Sequence, residues 1–197
     1  GRWKAQHYYA RKAFEDILIS PIVEEDELKV YGVSDRIKGA SGKLQVQVCR
    51  FDGKIIHDWS KHVSVGGNTS QVYFSAPLTE VLKDTEKGDV YVRVVYADKS
   101  GKVYDNNYYL GKQKEMNYPK VNLTTEVQPM AGGYEVTVSS DKFARAVFLS
   151  IADNESLYSD NYFDIQPNGS VKVQIATQLP VDKFKESLKL TCLNNEF

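Results

Sequence analysis

The sequence has few of the features that mark several large classes of protein. Its 197 residues include only two cysteines, Cys49 and Cys192, and its formal net charge is −1. A disulfide-rich scaffold needs more cysteines, and a nearly neutral chain gives no electrostatic reason to expect binding to nucleic acid or an anionic membrane. No run of about 18 apolar residues is present, so no membrane-spanning helix is expected. The cysteines fall in separate strand-like segments, and we expect both to be free, buried thiols.

Catalytic and cofactor-binding patterns are also scarce. The histidines His7, His57 and His62 have no third ligand at a spacing that would complete a zinc site, so each is interpreted as structural, with His7 on a buried helix face. Gly66–Gly67 is not followed by the Lys-Ser/Thr of a phosphate-binding loop, and no Gly-x-Ser-x-Gly elbow occurs. We therefore predict no cofactor, no metal and no catalytic constellation in this chain.

Most of the chain shows alternation of apolar and polar residues, which is typical of strands with one buried and one wet face. From Leu28 to Leu110 the pattern predicts six or seven antiparallel strands. Asp52–Gly53 is a strong hairpin signal, Lys99–Gly101 predicts a longer hairpin turn, and Pro77–Leu82 predicts a short helical turn. This segment has the size of one immunoglobulin-like sandwich.

Residues Gly111–Lys120 show neither the helical period nor the strand period and are predicted to be a linker. A second run of alternation follows them. Its strands are centred on Val136, Leu149, Val173 and Leu190. We therefore predict a mostly β fold, with two immunoglobulin-like antiparallel β-sandwiches preceded by one α-helix. The predicted domains are residues 1–19, 20–112 and 113–197.

The first residues, Gly1–Phe14, carry the one clear helical pattern. Residues on one helical face recur at steps of three, four and seven: Trp3, His7, Ala10, Phe14, Ile17 and Leu18. No Ser, Thr, Asp or Asn precedes the pattern as a cap. Because an aromatic helix needs a large apolar partner, we expect this sequence to be a piece of a longer chain that supplies the partner. The alternative is that the helix packs across the end of the first sandwich.

A second distinctive stretch is Ser159–Pro167. Its Ser-Asp-Asn side chains can bond to nearby backbone, and Asn tolerates positive φ, so a sharp corner at a sandwich edge is favoured over a binding site. Tyr162 and Phe163 then point to opposite faces, one filling the sandwich and the other meeting a neighbour.

Both stretches resemble parts of one enzyme family. Gly1–Phe14, with its Gly-Arg-Trp-Lys-Ala and His-Tyr-Tyr-Ala-Arg runs, resembles the last barrel helix of β-mannosidases of glycoside hydrolase family 2. The Ser-Asp-Asn-Tyr-Phe-Asp run of Ser159–Asp164 resembles a segment of the last immunoglobulin-like domain in those enzymes. The two stretches also occur in the order that the family has them.

The resemblance implies a non-catalytic C-terminal region whose helix remains from a truncated (β/α)₈ barrel. The parent enzyme would hydrolyse terminal β-linked mannose with retention, although related exo-glucosaminidases share the layout. It would be periplasmic, secreted or lysosomal. The main partner would be the catalytic barrel of the same parent chain, and the interface residues are predicted to be Trp3, Tyr8, Phe14, Tyr162 and Phe163.

Family 2 enzymes resemble one another in using two glutamates, of which the acid/base residue follows an Asn. This chain contains Asn154–Glu155 and Asn195–Glu196. Neither pair follows a barrel strand, so both are interpreted as solvated carboxylates. The resemblance therefore implies that the catalytic glutamates lie in the parent and not in this chain.

Aromatic residues of the first sandwich offer another hypothesis. Trp59, Tyr104, Tyr108 and Tyr109 could form a carbohydrate-binding platform, although cross-strand aromatic pairs would use the same residues equally well. Two alternative functions therefore stay open. One is a carbohydrate-binding module with an oligosaccharide as ligand, and the other is a tandem immunoglobulin-like interaction module, whose edge strands would have to be paired or protected.

Overall fold

The computed structural model describes residues 3–152 and 155–196, which fold mainly into antiparallel strands. They divide into two compact units. The first unit is Lys12–Asn117, and the second combines residues 3–11 with 118–152 and 155–196. The prediction of a mostly β fold with one main helix near the N-terminus is confirmed. The domain bounds 1–19, 20–112 and 113–197 stay a prediction.

The first unit is a sandwich of two antiparallel sheets. Its elements are β1 (Ile17–Glu24), β2 (Glu27–Ser34), β3 (Ala40–Arg50), β4 (Ile55–Val65), β5 (Thr69–Pro77), the short helix α2 (Leu78–Leu82), β6 (Val90–Asp98) and β7 (Val103–Tyr109). One sheet has the order β1-β2-β5 and the other has the order β4-β3-β6-β7. The six strands β2 to β7 agree with the six or seven predicted from Leu28 to Leu110, whereas β1 was not predicted, and α2 confirms the predicted helical turn.

Both predicted hairpins of the first unit are present. At the β3–β4 turn, Gly53 has φ +98°, which glycine adopts without steric cost, and Asp52 Oδ1 accepts the Lys54 N–H at 2.9 Å. At the β6–β7 turn, Asp98 Oδ1 accepts the N–H of Lys102 at 3.0 Å. Local turn chemistry therefore fixes the register of both hairpins.

Strand β1 corrects the predicted extent of the N-terminal helix. Ile17 and Leu18 were expected on its apolar face, but Ile17 begins a strand that pairs with β2. The link between β1 and β2 is a two-residue turn in which Glu25 and Asp26 have φ of +51° and +62°, as in a type I′ hairpin. Pro21 is compatible with this strand because β1 is at the edge of its sheet.

The core of the first unit comes from the inward faces of its two sheets. Strand β2 alternates strictly between half-buried and buried residues, as expected for a sheet with one face in the core. Fully buried members include Leu28, Val30, Val46, Val48, Val92 and Val94. Burial of each such side chain stabilises the fold by about 1.5–3 kcal/mol.

The second unit is also a sandwich of two antiparallel sheets. Its elements are α1 (Ala5–Ala13, of which residues 5–11 belong to this unit), β8 (Leu123–Met130), β9 (Gly133–Ser140), β10 (Ala144–Ser150), β11 (Leu157–Tyr158), β12 (Phe163–Ile165), β13 (Ser170–Ala176), α3 (Val181–Ser187) and β14 (Lys189–Thr191). The sheet orders are β12-β10-β14 and β11-β13-β9-β8. A separate core includes Val136, Val138, Leu149, Val173, Ile175 and Phe184.

Three strands of the second unit were not predicted. Strand β8 has no clean alternation because it is an edge strand exposed along most of its length, with Pro129 near its end. Strands β11 and β12 have only two and three residues, too few to show a period of two. Short and doubly exposed strands leave little hydrophobic pattern in a sequence.

Helix α1 is shorter than predicted and buries a different face. It ends at Ala13, and Gly1 and Arg2 of the predicted stretch lie outside the described residues. His7, expected to be buried, is exposed, and Phe14 is 86% exposed. The buried residue of the described helix is Tyr8, which was assigned only to the margin of the apolar face.

Candidate functional site

Helix α1 packs within the second unit through an aromatic row. Tyr8 is 6% exposed, and its ring centroid lies 5.8 Å from that of Trp3 and 6.1 Å from that of Tyr162. Tyr162 stacks on Phe148 of β10 at 4.7 Å. Burial, and then the nearby Asp160 carboxylate, raise the pKa of the Tyr8 hydroxyl above its ordinary value. These four rings join the helix to a strand of the sandwich.

The corner that receives the helix is built by the Ser-Asp-Asn motif. Asn161 is 4% exposed, and its side-chain amide pairs in both directions with the backbone of Leu149, at 2.9 Å each way. The Ser159 N–H donates to the Gln174 carbonyl at 2.8 Å, and the Gln174 N–H donates to Ser159 Oγ at 2.8 Å. These side chains replace a regular strand ladder where the chain turns, so the predicted corner is present.

The backbone at Tyr162 completes the corner. Its φ is +58°, a left-handed conformation that costs a residue with a Cβ about 1–2 kcal/mol. Two hydrogen bonds hold it there: the Tyr162 N–H donates to Asn161 Oδ1 at 3.1 Å, and the Tyr9 hydroxyl donates to the Tyr162 carbonyl at 3.0 Å. The left-handed turn and the helix therefore support each other.

Arg11 makes the polar part of the same contact. Its Nη1 donates to the Ser159 carbonyl at 2.7 Å, and its Nη2 lies 3.2 Å from Asp160 Oδ1. The side chains of Arg11 and Asp160 are 51% and 40% exposed, so the ion pair alone is worth less than about 1 kcal/mol. We name the whole set the helix–corner contact: Tyr8, Tyr9 and Arg11 on α1 with Ser159–Tyr162.

The structure brings together three of the five predicted interface residues. Trp3, Tyr8 and Tyr162 belong to the aromatic row. Phe163 packs instead on the core of the second unit, while Phe14 lies in the first unit with its side chain in solvent. A role for these residues at an interface with a catalytic barrel stays a prediction.

The four residues of the predicted sugar platform do not share one exposed face. Trp59, Tyr104 and Tyr108 pack on the core of the first unit, and Tyr104 is only 3% exposed. Tyr109 follows Tyr108 on β7 and points to the opposite face of the sheet, where its ring stacks on Tyr91 at 6.3 Å. The placement matches cross-strand aromatic pairing, and sugar binding by these residues stays a prediction.

Tyr104 belongs to a cluster of paired charges, the Asp16–Arg36 cluster. Its hydroxyl accepts from Arg36 Nη2 at 2.6 Å and donates to Asp16 at 3.1 Å. Arg36 Nε and Lys102 Nζ each donate to Asp16 at 2.6 Å, and Arg36 Nη1 reaches Asp98 at 3.3 Å. Hydrogen bonds from Lys102 and Arg36 hold the pKa of Asp16 well below its ordinary value. The cluster fastens the start of β1 to the β6–β7 turn.

The two Asn-Glu pairs lie in different settings. Asn154 of the first pair lies outside the described residues. Asn195 of the second pair bonds to the backbone of Val121, accepting its N–H at 3.2 Å and donating to its carbonyl at 3.1 Å. The preceding Asn194 is 3% exposed and donates to the Pro119 carbonyl at 2.9 Å. Together they fasten the end of the chain to the start of the second sandwich.

Cys49 and Cys192 are free and buried, as predicted. Burial raises the pKa of Cys49 to about 11 and also raises the pKa of Cys192. Across residues 3–152 and 155–196, the structure shows no group of three or more His, Cys, Asp or Glu that could hold a metal ion. In the same part of the chain, no helix is both long and apolar enough to cross a membrane.

Comparison with known proteins identifies both sandwiches. Residues 26–115 match the model of the Mannosidase Ig/CBM-like domain, and residues 118–196 match that of the mannosidase Ig-fold domain. Residues 26–115 therefore belong to the Mannosidase Ig/CBM-like domain family, and residues 118–196 belong to the Ig-fold domain family of mannosidases. The resemblance drawn from its two distinctive stretches is therefore confirmed.

The curated relatives of this chain are β-mannosidases. It is 25% identical over 170 residues to the β-mannosidase of Capra hircus, and the match covers 83% of this chain and 19% of that enzyme. It is 23% identical over 193 residues to β-mannosidase A of Emericella nidulans, with 90% of this chain and 20% of that enzyme covered. The chain thus spans about a fifth of the length of these relatives.

A solved structure has the same fold. The crystal structure of the β-D-mannosidase from Dictyoglomus thermophilum superposes with a TM-score of 0.82 at 20% identity. The match covers 98% of this chain and 23% of that enzyme. At this identity the likeness supports the fold, and the site must be argued from the residues themselves.

Proposed function

We propose that this chain is the C-terminal accessory region of a β-mannosidase-type glycoside hydrolase. In this proposal the two sandwiches support a catalytic barrel, and the parent enzyme hydrolyses terminal β-mannosides. The helix–corner contact carries the proposal. The segment that resembles a last barrel helix is fastened by the segment that resembles a motif of the last immunoglobulin-like domain.

The composition of the contact suits a mechanical role. Tyr8 supplies buried apolar area, while Tyr9 and Arg11 donate to backbone carbonyls of the corner at 3.0 and 2.7 Å. These carbonyls are present whatever the side chains at positions 159 and 162 are. The contact therefore serves to fix the position of the helix more than to select a ligand. A helix held in this way would set where the end of a barrel meets the last sandwich.

Helix α1 also keeps aromatic area for a further partner. Trp3 is 47% exposed and Tyr9 is 46% exposed, and Phe14 follows the helix in solvent. Apolar area buried against a barrel would contribute roughly 25 cal/mol per Å². The proposal assigns Tyr9 and Phe14 to the seam with the barrel and assigns catalysis to that barrel.

The experiment is to follow the reading frame upstream of Gly1 and assay its full-length product on aryl β-D-mannosides and aryl β-D-glucosaminides. The proposal predicts a (β/α)₈ barrel with two catalytic glutamates and hydrolysis of the mannoside with retention. An upstream frame without a barrel would overturn the proposal. Hydrolysis of only the glucosaminide would keep the architecture and correct the sugar.

A further inference from the structure

The second unit contains a small cavity beside the aromatic row. Its volume is about 100 Å³. Four aromatic side chains line it (Trp3, Tyr8, Phe148 and Tyr158), with polar groups from Ser150 and Asn161. It lies outside the first sandwich, where the sequence placed the predicted sugar platform.

Its lining selects a chemical class of ligand. None of the nine described residues that line it is charged, so an ionic ligand would lose hydration without gaining a partner. Aromatic rings with a few hydroxyl and amide groups suit a neutral molecule that has both an apolar face and hydroxyls. A sugar ring has both. Pockets for drug-sized ligands are about 300–1,000 Å³, so this cavity has room for one sugar residue at most.

Tyr8 adds a hydrogen-bonding group to this lining. Its ring is buried, with 6% of the residue exposed, but its hydroxyl is not among the buried polar atoms of the described residues that lack a partner, so the hydroxyl reaches solvent. The adjacent Tyr9 hydroxyl, in contrast, bonds to the Tyr162 carbonyl. A ligand hydroxyl can therefore replace solvent as the partner of the Tyr8 hydroxyl.

We propose that the cavity beside helix α1 is a subsite for a single neutral sugar residue. The ring stacks on Trp3, and one sugar hydroxyl bonds to the Tyr8 hydroxyl. The choice of mannosides as test ligands rests on the proposed function, whereas the site itself rests on the cavity. A flat titration would therefore overturn the subsite and leave the proposed barrel untouched. An upstream reading frame without a barrel would overturn the proposed function and leave the cavity untouched.

The experiment is an NMR titration of the 197-residue chain with methyl β-D-mannopyranoside and β-1,4-mannobiose. Trp3 and Trp59 are the two tryptophans of the chain, so a Trp59→Phe variant assigns both indole signals. We expect saturable shifts of the Trp3 indole, with a dissociation constant on the order of millimolar. Sorbitol, which has hydroxyls but no ring face, should leave that signal unchanged.

Two tyrosine variants make the experiment decisive. Tyr8→Phe removes a hydroxyl that no described residue bonds, so the urea midpoint should be unchanged while affinity falls at least about fivefold. Tyr9→Phe removes a bonded hydroxyl outside the cavity, so the midpoint should fall while affinity in the folded state is kept. The subsite is overturned by a flat titration, by equal shifts with sorbitol, by unchanged affinity in Tyr8→Phe, or by shifts confined to Trp59, Tyr108 and Tyr109.

Discussion

At the scale of single residues, asparagine side chains replace strand backbone in the second unit. Asn161 pairs with Leu149, and Asn195 pairs with Val121, each through one donated and one accepted hydrogen bond. The amide has the donor and acceptor of a peptide group, so it can continue a ladder where the chain has turned away. Asn161 is buried and also accepts the Tyr162 N–H, whereas Asn195 is exposed, so the two asparagines differ in burial and by one further bond.

Replacing Asn161 with Ala should destabilise the second unit. The variant leaves a buried N–H and a buried carbonyl of Leu149 without partners, which costs about 2–4 kcal/mol. Asn195→Ala removes two bonds of the same kind from a side chain that is itself exposed, although Val121 is buried, and should cost less than Asn161→Ala, at about 1–2 kcal/mol. Urea unfolding followed by circular dichroism measures both. Equal costs for the two variants would show that neither the burial of Asn161 nor its further bond to Tyr162 adds to stability.

Cys49 should be unreactive until the protein unfolds. With its pKa raised to about 11 by burial, roughly one thiol in a thousand is ionised at pH 8, and the thiolate is the nucleophile. Cys192 is buried as well. We expect no labelling by iodoacetamide in buffer at pH 8 and two labels per chain in urea, read by mass spectrometry. Rapid labelling of Cys49 in the folded chain would contradict its burial.

The sequence predicts which residues are buried better than it predicts their partners. Alternation correctly indicates Val136, Leu149 and Val173 as core residues, because a strand with one wet face has a period of two. It does not distinguish the role of Tyr104 from that of Tyr109, since a tyrosine suits a core and a surface equally. The bonding of Tyr104 to Arg36 joins positions 68 residues apart, and no local pattern records such a pairing.

At the scale of elements, the end of helix α1 shows how tertiary pairing overrides a local pattern. Ile17 and Leu18 fit a helical spacing and also begin an alternating strand. The strand is formed because β1 pairs with β2 along its whole length, from Ile17 with Ser34 to Glu24 with Glu27. Turn residues Glu25 and Asp26 are not the usual Asn-Gly of a type I′ hairpin, so the hairpin is not visible in the sequence.

The Asp16–Arg36 cluster should make the first unit sensitive to acid. The folded-state pKa of Asp16 lies below its ordinary value of 3.8, so its stabilisation is present above pH 3.8 and is lost as the pH falls through the lower, folded-state pKa. Asp16→Asn should therefore lower the free energy of unfolding by about 1 kcal/mol at pH 7. The difference from the wild type should shrink progressively below about pH 4.

Urea unfolding at pH 7, 5 and 3 measures this dependence. Asp84→Asn is a suitable control, because Asp84 is exposed in the same unit and should show no such difference. If the free energies of unfolding of Asp16→Asn and the wild type differed by the same amount at all three pH values, the charge of Asp16 would not be what stabilises the cluster.

At the scale of the whole molecule, the two stretches that carry the family resemblance meet in space. Arg11 and Ser159 are 148 residues apart in sequence and 2.7 Å apart in the structure. The helix was predicted from its periodic pattern, and the corner was predicted separately from its turn chemistry. Their contact could not be predicted, because it depends on which sandwich the helix packs against. The sequence-based alternative had placed the helix on the first sandwich.

In the proposed parent enzyme, loss of this contact should affect stability more than catalysis. We expect Arg11→Ala to shorten the half-life at elevated temperature several-fold while kcat and KM for an aryl β-mannoside stay within about twofold of the wild type. Lys4→Ala, an exposed change on the same segment, should alter neither property. A large fall in kcat for Arg11→Ala with an unchanged half-life would mean that the helix serves the active site directly.

The most direct measurement of the helix–corner contact is amide hydrogen exchange of helix α1 in the 197-residue chain, comparing the wild type with Arg11→Ala and Lys4→Ala. Alanine is the better helix former at position 11, so any loss of protection there reports the lost contact and not helix propensity. We predict that protection of the amides of residues 9–13 falls at least about tenfold in Arg11→Ala and is unchanged in Lys4→Ala. Equal protection in all three proteins, or an unprotected helix in the wild type, would contradict the claim that the Ser-Asp-Asn corner holds the helix.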